Sequence, residues 1–262
     1  MSLPVYLAAT TQPDLADVTV GQTICVGGDQ AKHAVGAKRL RVGEALQLVD
    51  GRGRRVSGQA TDVARGSFTV TVTDVATEDA PAPRLILVQA LAKNKRDVQA
   101  CEAATEVGVD AIYPWAASRC VVTWKSSDQR KEHRWRAAVT SAAEQSRRAW
   151  WPTLHQLRDT AALCDDVRAA TERGEVVLVA HEQEERPLAD ILAAERAASA
   201  YWVIVGPEGG ITDDEVSQLA AAGAHPVRLG PTIMRASTAG PAALAVIAAA
   251  TGRWSATSKE TK

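Results

Sequence analysis

Two kinds of apolar pattern divide the chain. From Val5 to about Asp74 the apolar residues come in short runs broken by turn residues. SFTVTVTDV alternates at period two, as a half-buried strand does. In LQLVDGRGRRVSGQATDV two strand-length runs flank Asp50-Gly51-Arg52-Gly53, a hairpin signal. Residues 1–74 therefore read as a small β-barrel or sandwich. ATEDAPAPR, polar and broken by proline, reads as a linker that covers residues 75–84.

Beyond it the apolar runs are nearly continuous and alternate with helical stretches. RLILVQAL, DAIYPW, EVVLVAHE, YWVIVGPEGG and HPVRLGP each read as a strand that closes on a loop. A helix is expected over about 97–107, ending at Gly108, and a basic, tryptophan-bearing one over about 127–148. Apolar strands alternating with helices imply a mostly parallel sheet covered on both faces, here within residues 85–252. Residues 253–262, which include SATSKETK, read as a polar, disordered tail.

Composition narrows the partners. Lys+Arg number 30 against 31 Asp+Glu, a net charge of −1, so nucleic-acid binding must come from local patches rather than the global field. Two basic regions stand out. One holds Lys32, Lys38, Arg39, Arg41, Arg52, Arg54 and Arg55. The other holds Arg119, Lys125, Arg130, Lys131, Arg134, Arg136, Arg147 and Arg148, interleaved with Trp124, Trp135, Trp150 and Trp151. Such patches position RNA through phosphates while exposed aromatics stack on unpaired bases; the plainer alternative is a solvated helix face over core tryptophans. Cys25, Cys101, Cys120 and Cys164 form no C-x-x-C pair and have no histidine at ligand spacing, which argues against a metal site or a disulfide framework. The N-terminus lacks a basic region followed by an apolar one. The apolar stretch 236–252 contains Gly240 and Pro241 and reads as a tightly packed helix rather than a membrane span. A cytoplasmic location without a membrane partner is expected.

Two loops carry the candidate chemistry. In VIVGPEGGITDDEV a strand runs into Gly206-Pro207-Glu208-Gly209-Gly210, and Thr212 with Glu215 makes a capping box. Asp213 and Asp214 in the first turn would repel a phosphate, no Gly-Lys-Ser/Thr follows, and G-x-G-x-x-G does not fit. The glycines suit close approach of backbone to a nucleoside or zwitterion at the carboxyl end of a sheet; a simple tight turn is the alternative. In RLGPTIMRASTAGPAALAVIAAA a strand ends at Leu229, Ser237 or Thr238 is expected to cap a helix, and Pro241 to fall in its first turn. Arg235, at the positive end of that helix, calls for a negatively charged partner, either a ligand or the acids at 213–215.

Together these residues resemble the RsmE family, the SPOUT-class 16S ribosomal RNA uridine-N3 methyltransferases. The likeness covers nearly the whole chain. It rests on Val205–Gly210 with Ile211-Thr212, and on Leu229-Gly230-Pro231 leading to Met234-Arg235. Supporting pieces are Ala104-Thr105-Glu106-Val107-Gly108-Val109, Ala143-Glu144-Gln145-Ser146-Arg147, and His33 with Leu40-Arg41-Val42-Gly43. The resemblance implies an α/β fold, with an N-terminal PUA-like β-barrel that binds RNA and a SPOUT domain with a C-terminal trefoil knot. It implies S-adenosylmethionine held by Val179, Ala180 and His181, by Val205, Gly206, Pro207, Glu208, Gly209 and Gly210, and by Leu229, Gly230, Met234, Arg235, Ala236 and Thr238. Arg235 would be the catalytic residue, and no metal is implied. Lys38, Arg39, Arg41, Arg52, Arg54, Arg55, Arg134, Arg147 and Arg148 would bind 16S rRNA within the small ribosomal subunit, and the chain would be a homodimer. After the arginine, Ala236-Ser237-Thr238-Ala239 replaces the family's usual Thr-Glu-Thr-Ala, so Ser237 supplies no carboxylate. That departure supports one alternative to the enzyme, a non-catalytic ribosome-assembly factor; the other alternative, a methyltransferase with another RNA target, has the N-terminal barrel and the Gly206–Gly210 loop against it.

Overall fold

The computed structural model describes residues 3–8, 11–124 and 129–255. Lys125, the end of the tail (256–262) and the side chain of His33 lie outside the described residues. The chain forms two compact units, residues 1–80 with 143–151, and residues 81–142 with 152–262. The return of 143–151 to the first unit is not written in the apolar pattern.

The first unit contains β1 (Val5–Leu7), β2 (Thr11–Gln12), β3 (Thr23–Val26), the short helix α1 (Gly28–Lys32) running into a π turn (His33–Ala37), β4 (Ala45–Val49), β5 (Arg54–Ala64) and β6 (Ser67–Thr77). They make one curled sheet, a half-barrel in the order β1-β4-β5-β6-β3-β2, antiparallel except where β1 runs beside β4. The β4–β5 hairpin turns at the expected place. Asp50 Oδ1 accepts from the amides of Arg52 (2.7 Å) and Arg54 (3.0 Å), and Gly51 and Gly53 take the positive φ values the turn demands. Alternate residues of β6, Phe68, Val70 and Val72, point into a core with Ile24, Leu46, Leu48 and Val56.

The second unit contains β7 (Arg84–Ala90), α2 (Arg96–Val107), β8 (Ala111–Trp115), α3 (Gln129–Gln145), β9 (Thr153–Leu154), α4 (Thr160–Glu172), β10 (Val176–Ala180), α5 (Leu188–Ala194), β11 (Ala200–Val205), α6 (Asp213–Ala221), β12 (His225–Val227) and α7 (Ala236–Ala250). The sheet order is β12-β10-β11-β7-β8-β9 and every pair is parallel. Each central strand feeds two cores. On β7, Leu85 and Leu87 pack with α2, α5 and α7, while Ile86 and Val88 pack on the other face with α4 and α6. This two-sided burial is why the runs read as continuously apolar. α3 stops at Gln145 because Arg147 turns left-handed (φ 58°) and the Arg148 amide closes back on the Ala143 carbonyl.

Three local expectations are corrected. Arg235, not Ser237 or Thr238, is the N-cap of α7, its carbonyl accepting from the Thr238 and Ala239 amides. Pro241 consequently sits beyond the first turn of that helix. Arg253, set apart with the polar tail from sequence, is anchored instead: its guanidinium binds Asp110 and the carbonyls of Pro83 and Gly108.

Candidate active site

Because β12, β10 and β11 are adjacent and parallel, their carboxyl ends open side by side and the loops leaving them converge. The first loop supplies Ala180, His181 and Glu182. The second supplies Gly206, Pro207, Glu208, Gly210 and Ile211 beyond Val205. The third supplies residues 228–235, and α7 adds Ala236 and Ala239. With Arg96 these residues line a cleft of about 430 Å³.

Local packing explains the sequence of the middle loop. A Cβ on Gly206 would lie 2.5 Å from Cγ1 of the buried Ile211, so only glycine lets the chain turn back there. Gly210 needs its positive φ (75°). Glu208 Oε1 accepts from the Lys93 amide (3.0 Å) and from Arg96 (3.2 Å), while Arg119 donates to the Gly209 carbonyl (3.1 Å). The loop is thus held from both sides. Behind it the capping box forms as expected, but Glu215 does more than cap. Its carboxylate, 2% exposed, accepts from the Ser118 amide (2.8 Å), Ser118 Oγ (2.9 Å), Thr160 Oγ1 (3.0 Å) and Thr212. Burial alone would raise its pKa; the ring of donors outweighs that and holds it below the usual carboxylate range. Below the cleft, Gly240 brings α7 against β7, where a Cβ would meet Leu87 at 2.7 Å.

The cleft is mixed in charge. Arg96, Arg228 and Arg235 face Glu182 and Glu208 across an apolar lining that includes Val205, Ile211, Leu229 and Met234. Arg96 is held by Glu208. Among the described residues no carboxylate pairs with Arg235, so the acids at the start of α6 are not its partner. His181 donates its amide to the Val227 carbonyl (3.0 Å), and its buried Nδ1 has no partner among the described residues.

Of the residues expected at the cofactor, Ala180, His181, Val205, Gly206, Pro207, Glu208, Gly210, Leu229, Gly230, Met234, Arg235 and Ala236 meet in this cleft. Val179 lies in the core beneath it, and Gly209 and Thr238 do not line it. Sequence reasoning missed Arg96, Arg228, Ile211 and Ala239. Arg228 stands in the same strand-closing run as Leu229 and was within reach, whereas Arg96 is far away in sequence and only the fold brings it in. Ser237 is not part of the lining.

The basic residues divide. Lys38, Arg39, Arg41 and Arg52 are exposed. Arg54 instead donates to the carbonyls of Leu15 (3.3 Å) and Val18 (2.8 Å), and Arg55 binds Glu78 (2.6 Å), Gln47 and the Arg147 carbonyl. Arg134 and Arg147 are exposed, while Arg148 donates to the Trp150 carbonyl. Trp124 and Trp135 are 8% and 2% exposed and pack on each other in the core, as the plainer reading had it; Trp150 and Trp151 are half-buried and donate to backbone carbonyls. Among the described residues no acidic, histidine or cysteine cluster could hold a metal, and no helix is long and apolar enough to cross a membrane.

Comparison with known proteins decides the kinship. The model of an RNA methyltransferase domain matches residues 78–248, and that of an RNA methyltransferase PUA domain matches residues 26–73. Ribosomal RNA small subunit methyltransferase E of Mycobacterium tuberculosis is 41% identical over 251 residues, 95% of this chain and 93% of the relative. The chain belongs to the RsmE family of RNA methyltransferases. The Synechocystis RsmE is 32% identical over 210 residues, 80% of this chain and 67% of that one. The crystal structure of RsmE from Neisseria gonorrhoeae bound to S-adenosyl methionine superposes with a TM-score of 0.81 at 26% identity, covering 95% and 98% of the two chains. In this RsmE-family chain the whole cleft falls inside the methyltransferase match, and Lys38, Arg39, Arg41 and Arg52 fall inside the PUA match.

Proposed function

We propose that this chain transfers the methyl group of S-adenosylmethionine to N3 of a uridine in 16S rRNA of the small ribosomal subunit. One observation carries the reading: three loops at the carboxyl ends of adjacent parallel strands form a single cleft inside the methyltransferase match, with Arg235, which pairs with no carboxylate among the described residues, in its lining. The residues present suit the cofactor. The cleft lies within the roughly 300–1,000 Å³ range of small-molecule sites. Its apolar lining suits an adenine ring, the buried Nδ1 of His181, which has no partner among the described residues, offers a hydrogen bond, and Glu182 and Glu208 suit a cationic ligand. The gonococcal RsmE, whose fold this chain shares, binds that molecule.

When bound, the cofactor supplies an electrophilic methyl group on a positively charged sulfur. The chain supplies alignment and charge. Loops fixed by Glu208 and Glu215 hold the donor still, which converts an encounter into an oriented reaction. As N3 gives its proton to solvent, negative charge spreads over the uracil oxygens, and the Arg235 guanidinium would offset it, a role worth about 3 kcal/mol. N3 is on the Watson–Crick edge, so the target must be unpaired or flipped out. The exposed Lys38, Arg39, Arg41 and Arg52 of the first unit would hold the RNA through its phosphates.

We also read the chain as a homodimer threaded by a trefoil knot. Exposed Val246 and Trp254 along and after α7 support the first, and the fold shared with the gonococcal RsmE supports the second. The deciding experiment is methyl transfer from labelled S-adenosylmethionine to small subunits that lack their native modification, with the product nucleoside identified by mass spectrometry. N3-methyluridine is the expected product. Cofactor binding without transfer would turn the reading to a non-catalytic assembly factor, and a different methylated nucleoside to another RNA target.

A further inference from the structure

The loop between β7 and α2 separates the cleft from a second cavity, and its geometry gives that cavity a purpose. Among the described non-glycine residues with positive φ, only Asn94 (φ 56°, ψ 32°) and Lys95 (φ 60°, ψ 21°) are adjacent. Two consecutive left-handed residues persist only where neighbours over-determine them. Here the Lys93 amide is held by Glu208 of the cleft loop, and the buried Asp97 carboxylate accepts from the amides of Ala92 (3.4 Å) and Val98 (2.9 Å) on the other side. The effect is to split a run of basic residues. Arg96 lines the methyl-transfer cleft, while Asn94 and Lys95 line a cavity of about 210 Å³ behind it.

That cavity is walled by the nearly buried rings of Trp124 and Trp135, by Leu91 and Val122 and by the buried Asp97 carboxyl, under a cationic rim of Lys95, Lys131 and Arg134. Lys95 and Arg134 are exposed, and Lys131 Nζ donates to the Thr123 carbonyl. Its volume falls below the roughly 300 Å³ from which pockets for drug-sized molecules start, which suits a single ring system. An apolar slot for one ring beneath cations is how a nucleotide divides between base and phosphate. We propose that this cavity is a second RNA subsite, which takes an unpaired base close in sequence to the methylated uridine while Lys95 and Arg134 hold its phosphate. The inference rests on the reading that the chain methylates ribosomal RNA, and adds that one strained loop presents two bases to two cavities at once. Neither Lys95 nor Arg134 lines the methyl-transfer cleft, so the subsite acts on substrate affinity rather than on chemistry.

The test uses the full chain and small ribosomal subunits lacking the modification. Two variants close the subsite differently: Lys95→Ala with Arg134→Ala removes surface charge without touching the core, and Val122→Trp fills the cavity. Both should raise KM for the subunit at least about fivefold, with kcat and the Kd for S-adenosylmethionine unchanged. Unchanged KM in both overturns the subsite. Should the wild type bind cofactor yet transfer no methyl group, the functional reading fails, and equilibrium binding of the same subunits still decides the subsite: weaker binding by the variants supports it and equal binding overturns it. Ultraviolet cross-linking adds chemical identity. A nucleotide adduct on the peptide that carries Trp124 or Trp135 is expected, and a ribosomal-protein adduct in its place overturns the RNA assignment.

Discussion

Arg253 places its guanidinium against both carboxylate oxygens of Asp110, at 2.6 and 2.9 Å, with the two side chains 6% and 15% exposed. The same carboxylate accepts from the Leu85 amide at the start of β7 (2.7 Å), so the pair joins the segment that follows α7 to β7. Removing one member of such a pair leaves the other buried without its partner. Arg253→Ala should therefore lower stability by about 3 kcal/mol, and Asp110→Asn by less. Urea unfolding of the two variants checks this; a wild-type midpoint in Arg253→Ala would show that the pair contributes nothing.

Glu215 makes stability depend on pH. Its folded pKa lies below the usual carboxylate range, so its contribution is fully present above that range and is lost as pH falls through the folded value. Glu215→Gln should be less stable at neutral pH by about 2 kcal/mol, and the difference from wild type should shrink toward acid. Thermal melts from neutral to acidic pH would show converging curves. Parallel curves would mean that its protonation is not linked to folding.

Gly206 tests how tightly the cleft backbone is set. Gly206→Ala must push its Cβ away from Ile211 Cγ1, 2.5 Å distant, by moving the loop or that buried side chain. Affinity for S-adenosylmethionine should fall about tenfold or more, with the unfolding midpoint little changed. Titration calorimetry measures it directly, and wild-type affinity would place the cofactor elsewhere.

Arg235→Ala separates chemistry from binding. Methylation should fall about a hundredfold while cofactor affinity stays near wild type. Single-turnover transfer with saturating subunits is the measurement; normal turnover would remove Arg235 from the mechanism.

The arginines of the first unit should divide by what they touch. Neutralising Lys38, Arg39, Arg41 and Arg52 together should weaken RNA binding and flatten its salt dependence by up to about 4 in slope. Arg54→Ala should instead lower stability, because its guanidinium serves the Leu15 and Val18 carbonyls. A salt titration and a melt for each variant distinguish the two. An unchanged slope in the quadruple variant would exclude that surface.

What the sequence determined by itself is whatever depends on neighbours along the chain. Period-two alternation marks β6, unbroken apolar runs mark β7, β10 and β11 as strands buried on both faces, and Thr212 with Glu215 marks the start of α6. Those local signals, with Gly206–Gly210 and Leu229–Arg235, were enough to find two walls of the cleft. Tertiary structure decided what depends on distant partners. It brings Arg96 to Glu208 across 112 positions and Ser118 to Glu215 across 97. It also turns Arg54 and Arg55 inward, returns residues 143–151 to the first unit and anchors Arg253 at Asp110. A charged side chain looks the same in sequence whether it faces water, RNA or a buried carbonyl, since that choice is made by whichever group the fold sets beside it.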